Sequence, residues 1–133
     1  MAKTSMVVMI VAMMMLISGI AAKNLTVGDE MGWKVPSSDD FYTTWAANQT
    51  FVVGDILVFN FDTGAHTVAI TSRDAYDDCD KDIDADAIEV EEGPYERTLD
   101  SAGQFYFFCT IGFHCANGLK FSANVTGTPA PAP

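Results

Sequence analysis

The chain has 133 residues, 49% of them hydrophobic, and a formal charge of −11. That length allows one ordinary domain, and the apolar content is enough for a packed core. The acid excess excludes a nucleic-acid binder, which needs cations to displace counterions from phosphates, and argues equally against docking on anionic lipid.

In chain order, Lys3 is followed by an unbroken apolar run from Met6 to Ile17 and then by the small residues S-G-I-A-A. A bilayer-spanning helix needs roughly 20 apolar residues, so the run is too short to span. Residues 1–22 read as a secretory signal peptide cleaved near Ala21 or Ala22. Cleavage removes Lys3 and shifts the charge from −11 to −12, and it leaves Met31 as the sole methionine. Residues 23–125 then form the domain. Three sequons, at Asn24, Asn48 and Asn124, fit a secreted glycoprotein. Residues 126–133 (T-G-T-P-A-P-A-P) cannot pack a core and read as an extended tail. No hydrophobic stretch follows it, so no glycolipid-anchor signal and no transmembrane segment are expected after cleavage.

Inside the domain the signals favour strands. Ile56–Phe61 is short, β-branched and aromatic, Thr67–Ser72 alternates with period two, Phe105–Cys109 is a buried-looking run, and Leu119–Val125 alternates again. Short strands at this spacing predict an all-β antiparallel sandwich or barrel. Phe41–Ala47 and Asp74–Cys79 each read as a short helical turn. Residues 74–96 hold 11 of the 18 acids and one base, Lys81, and read as a solvated loop or edge region.

An oxidising compartment predicts that two of Cys79, Cys109 and Cys115 pair and one stays free. Three pairings are open at this point. His114 lies five residues after Cys109, and His66 opens a strand. Cys109, His114 and His66 together make a set of two imidazoles and one thiolate. Such a set suits copper, because soft sulfur favours Cu(I) while imidazole also accommodates Cu(II). Metal binding also protects an unpaired cysteine from oxidation. The competing site is acidic: Asp78, Asp80, Asp82, Asp86 and Glu89 fall at the ligand spacing of a calcium loop. The position that needs glycine is Ile83, however, and no helical pattern flanks the loop. There is no nucleophile elbow and both histidines are claimed by the metal, so no enzyme is expected.

The ordered phrases T-V-G-D with G-W (26–33), F-V-V-G-D-I-L-V-F-N-F (51–61), G-A-H-T-V (64–68), Y-D-D-C (76–79) and G-Q-F-Y-F-F-C-T-I-G-F-H-C-A-N-G-L-K (103–120) resemble the phytocyanins, the plant family of secreted blue copper proteins. The resemblance runs along nearly the whole domain. It implies a cupredoxin-like Greek-key β-sandwich, one type-1 copper held by His66, Cys109 and His114, and a disulfide from Cys79 to Cys115. It implies a one-electron carrier, monomeric and extracellular, in the apoplast or cell wall. The acidic charge adds the expectation of a redox partner with a basic surface. One position departs from the family: the axial ligand, usually Met or Gln, is Leu119, which has no donor atom. That leaves a trigonal three-ligand copper site, or a site losing its metal as in the nodulin-like relatives. Those relatives typically lack the His and Cys ligands, which this chain keeps. The rival reading from another class is a cell-wall interaction glycoprotein built on the glycans, the Pro/Ala tail and the acidic face; a weak Ca2+-binding module is the third.

Overall fold

A computed structural model describes residues 22–127. Residues 1–21 of the segment read as a signal peptide (1–22) and residues 128–133 of the segment read as a tail (126–133) lie outside the described residues. Eight strands form: β1 (Asn24–Thr26), β2 (Phe51–Val52), β3 (Ile56–Phe59), β4 (Val68–Thr71), β5 (Ile88–Val90), β6 (Tyr95–Thr98), β7 (Gly103–Phe108) and β8 (Lys120–Thr126). Two helices accompany them, α1 (Phe41–Ala47) and α2 (Arg73–Asp78), with short 3-10 turns at Asp29–Met31 and Lys81–Ile83.

The strands make two sheets, one ordered β1-β3-β6 and the other β2-β8-β7-β4-β5. β1 pairs parallel with β3 and β2 parallel with β8, while the other pairings are antiparallel. The chain therefore crosses between sheets repeatedly, and the two layers enclose one apolar interior, as expected of an all-β sandwich. Alternation along the strands produces this. In β8, Phe121, Ala123 and Val125 are buried while Asn124 and Thr126 are exposed.

The core is aromatic. Trp33 meets Phe59 edge to face at 5.1 Å, with Tyr42 and Phe121 on its other sides. Phe107 stacks on Phe121 at 5.0 Å. Helix α1 is short but buries Tyr42, Trp45 and Ala46, residues spaced to share one face. The Tyr42 hydroxyl donates to the Gly32 carbonyl and accepts from Lys34 N at 3.0 Å. Burial pushes its pKa up to about 12, so it stays a donor at any physiological pH. Tyr42 thereby holds the loop that carries Trp33, and the Trp33 indole N–H donates to the Thr67 carbonyl at 2.9 Å.

Both helical turns and all four expected strands are present, with ends shifted by a residue or two. The acidic stretch is more ordered than a solvated loop. It supplies most of α2, the second 3-10 turn, the sheet-edge strand β5 and the first residues of β6. Its carboxylates take local roles: Asp80 accepts from Asp82 N, and Asp84 accepts from Ser72 N and Asp86 N. Asp78, Asp80, Asp82, Asp86 and Glu89 are thus spread over a helix end, a turn and a strand rather than wrapped as one calcium loop. β8 runs through Thr126, one residue into the segment read as tail.

Trp33→Phe is expected to lower stability by roughly 2–4 kcal/mol, because it opens a gap in the core and orphans the Thr67 carbonyl. Urea unfolding of the two chains checks this.

Candidate metal centre

Three segments meet at one end of the sandwich. The first is the turn before β4, which carries His66 and Thr67. The second follows β7, where Cys109 and Thr110 leave the five-stranded sheet. The third is the loop 111–119 leading into β8. The ligand atoms of His66, Cys109 and His114 all lie within 4.8 Å of one another. His66 Nδ1 is 3.2 Å from His114 Nδ1, and Cys109 Sγ is 3.4 Å from His114 Nδ1. Cys109 is 1% exposed, while the two histidines are half-buried. Burial, and then the charge of His114, hold the His66 imidazole below its ordinary pKa, which favours the neutral form that ligates metal.

Thr67 holds this arrangement together. Its backbone N–H donates to Cys109 Sγ at 3.4 Å. Its hydroxyl oxygen accepts from Thr110 N at 2.8 Å and lies 2.8 Å from the Thr110 hydroxyl. Its carbonyl accepts from Trp33. Nothing in sequence spacing singled out Thr67, Thr110 or Trp33. The only available signal was that Thr67 and Thr110 each directly follow a candidate ligand.

The loop 109–119 closes on its own backbone. His114 N donates to Ile111 O, Leu119 N donates to His114 O at 3.0 Å, and Cys109 N donates to Leu119 O at 3.1 Å. Residue 119 is thus tied to both loop ligands, and the Leu119 side chain is fully buried in the same core cluster as Cys109. Gly118 has φ +102°, and a Cβ there would sit 2.6 Å from the Asp39 Cα, so only glycine fits this turn. Cys79 and Cys115 are joined by a disulfide with their Cα atoms 5.8 Å apart, and Cys109 is free. The bridge ties the end of α2 to the residue after His114. For a separation of 36 residues the chain-entropy account assigns it about 4 kcal/mol.

The donor chemistry fits one type-1 copper: one thiolate and two imidazole nitrogens converge, and the sulfur also receives a backbone N–H from Thr67. Met31 is remote from the ligand loop in sequence, yet it shares the lining of a groove of about 440 Å3 with Trp33, Lys34 and His66.

A family profile described as a plastocyanin-like domain matches residues 33–119. The chain is 45% identical over 105 residues to the cucumber peeling cupredoxin of Cucumis sativus, covering 78% of this chain and 76% of that protein. It is 37% identical to the stellacyanin of Toxicodendron vernicifluum, covering 76% and 94%, and 40% identical to a blue copper protein of Arabidopsis thaliana, covering 84% and 56%. The structure of cucumber stellacyanin superposes with a TM-score of 0.73 at 41% identity, over 81% of this chain and 98% of that one. A sandwich of this wiring with a Cys/His cluster at one end defines a cupredoxin. Within that class, the chain belongs to the phytocyanin family of plant blue copper proteins.

Thr67→Val keeps the backbone donor to sulfur but removes the acceptor of Thr110 N. The expected cost is about 1–3 kcal/mol of stability, recovered in large part by Thr67→Ser, and urea midpoints of the three chains measure it.

Proposed function

We propose that His66, Cys109 and His114 hold one type-1 copper and that the mature chain is a secreted one-electron carrier rather than an enzyme. The observation that carries this reading is the convergence of the three ligand atoms within 4.8 Å in a chain with a single free cysteine. Copper bound there supplies a couple that moves one electron at a time. The protein's part is to hold the donors still. Thr67 N orients the sulfur, the loop bonds of residue 119 fix Cys109 against His114, and the disulfide anchors the loop from outside. Leu119 closes the interior side with hydrocarbon and excludes water.

The surface beside His114 is where electrons would leave. Phe113 is 80% exposed next to it, and Ile111 packs half-buried against the core. The net charge of −11 suits a basic partner, and its influence on encounter falls as salt rises. Secretion rests on the signal-like segment and is supported by the disulfide, which persists in oxidising compartments. Asn24, Asn48 and Asn124 are all exposed, as glycan acceptors must be. Among the described residues no helix is long and apolar enough to cross a membrane.

Copper titration is expected to produce an intense visible thiolate-to-Cu(II) charge-transfer band. Cys109→Ser should abolish the band while the Cys79–Cys115 disulfide and the strand content persist. Stoichiometric Cu(II) binding without colour would overturn the assignment.

Leu119 carries no donor atom, so copper held by His66, Cys109 and His114 would lack the stabilisation of its oxidised state that a Met or Gln at this position could supply. Leu119→Gln is therefore expected to lower the reduction potential, and Leu119→Met to lower it less; each 59 mV of a one-electron couple is about 1.4 kcal/mol. Protein voltammetry reads the three values, and a potential unchanged or raised in Leu119→Gln would place residue 119 away from the metal.

A further inference from the structure

A second polar knot, built on none of the candidate copper ligands, surrounds Asp55. Asp55, in the turn between β2 and β3, is fully buried. Its Oδ1 accepts from the backbone N of Lys23 at 3.0 Å. Its Oδ2 accepts from Lys23 Nζ at 2.8 Å and from Val52 N at 3.0 Å. Its own carbonyl accepts from Leu99 N, at the end of β6, and the next residue, Ile56, donates its N–H to the Lys23 carbonyl. The carboxylate therefore joins the chain ahead of β1 to the end of β2, while the backbone of Asp55 and Ile56 ties the start of β3 to the end of β6 and to Lys23. Both nitrogens of a single residue, Lys23, face the carboxylate.

Lys23 is also the residue that follows Ala22, one of the two small residues at which the signal segment reads as ending. We propose that peptide-bond hydrolysis between Ala22 and Lys23 creates a partly buried ion pair between the new Lys23 α-ammonium and the buried Asp55 carboxylate, which locks the mature N-terminus into the sandwich. The proposal rests on the secretory reading above. Hydrolysis by a signal-processing peptidase consumes one water, leaves a carboxylate on Ala22 and an amine on Lys23, and the amine takes up a proton at neutral pH. No chain movement is required, because that nitrogen already sits 3.0 Å from Oδ1. A neutral amide with one hydrogen becomes a cation with three, against an acceptor shielded from water, where opposite charges attract more strongly than at the surface.

Ala22 itself is exposed, and its methyl stands opposite Gly54, where a Cβ would lie 3.4 Å away. Losing Ala22 therefore removes no buried side chain. Cleavage one residue earlier would leave Lys23 N an amide and put the cation at Ala22, so the pair forms only where Lys23 is the first residue. The charged groups on the flanking elements are Lys23 ahead of β1, and Glu96, Arg97 and Asp100 on and beyond β6. Only Lys23 acts on the carboxylate: burial pushes Asp55 up, but the Lys23 side chain and the Val52 and Lys23 backbone bonds hold it below its ordinary value.

An amine facing a buried carboxylate has its pKa raised in the folded state. Its contribution is complete below the unfolded value of about 8 and is lost as pH rises through the folded one. The test uses the copper-loaded chain beginning at Lys23, the same chain N-acetylated, and both with Asp55→Asn, unfolded in urea from pH 6 to 10. At pH 6.5 acetylation is expected to lower the folded-to-unfolded ratio on the order of tenfold, one pKa unit's worth. The gap should close toward pH 10 and be absent with Asp55→Asn. Should the Asp55→Asn chains fail to fold, NMR titration of the Lys23 α-amine in the unsubstituted chain decides. A pKa above the ordinary 7.7–8.0 supports the pair, and a value within that range overturns it. Equal midpoints of the free and acetylated chains at pH 6.5 also overturn it. The mass of the protein secreted by plant cells tests the secretory reading separately: an N-terminus other than Lys23 sinks the cleavage position, whatever the urea series shows.

Discussion

The metal centre depends on one constraint, the clamping of two non-adjacent segments by a buried threonine. His66 and Cys109 are 43 positions apart in sequence, and neither strand end alone would hold its ligand against the other. Thr67 solves this with three different groups: its N–H reaches the Cys109 sulfur, its hydroxyl takes the Thr110 N–H, and its carbonyl takes the Trp33 indole. Trp33 is in turn wedged among Phe59, Tyr42 and Phe121. The position of the ligands is thereby set by the densest part of the core rather than by the mobile end of a loop, and packed cores resist small displacements. A site held in this way would change little between two oxidation states, as the proposed electron carrier requires.

The second device is the loop 109–119. It carries two ligands, yet it is closed by its own backbone bonds, by a glycine turn against Asp39 and by the disulfide at Cys115. The hydrocarbon of Leu119 lies on the interior side and the exposed Phe113 on the other. Between a dry inner wall and an apolar outer face, the centre is insulated from solvent on one side and approachable on the other. The acid-rich segment runs along α2, the following turn and the edge strand β5, and its Glu89 and Glu91 line one groove together with His66. Glu89 on the short edge strand β5, with Asp86, Glu91 and Glu92 flanking it, also discourages edge-to-edge pairing of copies.

Much of the architecture was legible in the chain. Alternation exposed β4 and β8, the apolar run marked β7, and Phe41–Ala47 read as the short helical turn that became α1. What escaped were the shortest strands. β1, β2 and β5 have only two or three residues each, and no periodicity can be read over so few. β6 escaped for a different reason: its start sits inside an acid-rich stretch whose composition reads as solvated. Its pairing partner β3 decides its conformation, through the register Phe59 with Tyr95 and Ile56 with Thr98.

Residue chemistry alone determined the donor set: two histidines, a cysteine, and an order of short phrases shared with one protein family. It also determined that position 119 lacks a donor, because a leucine has none wherever it lies. Only the tertiary structure decided which groups surround those donors. Thr67, Thr110 and Trp33 are unremarkable in sequence and become the clamp because hydrogen bonds between distant segments depend on where the strands end. Met31 and His66 come to line one groove for the same reason. The role of Asp55 is the clearest case. A lone aspartate in a Gly-Asp turn reads as ordinary turn chemistry, and its burial beneath Lys23, 32 positions away, exists only once β1 has paired with β3.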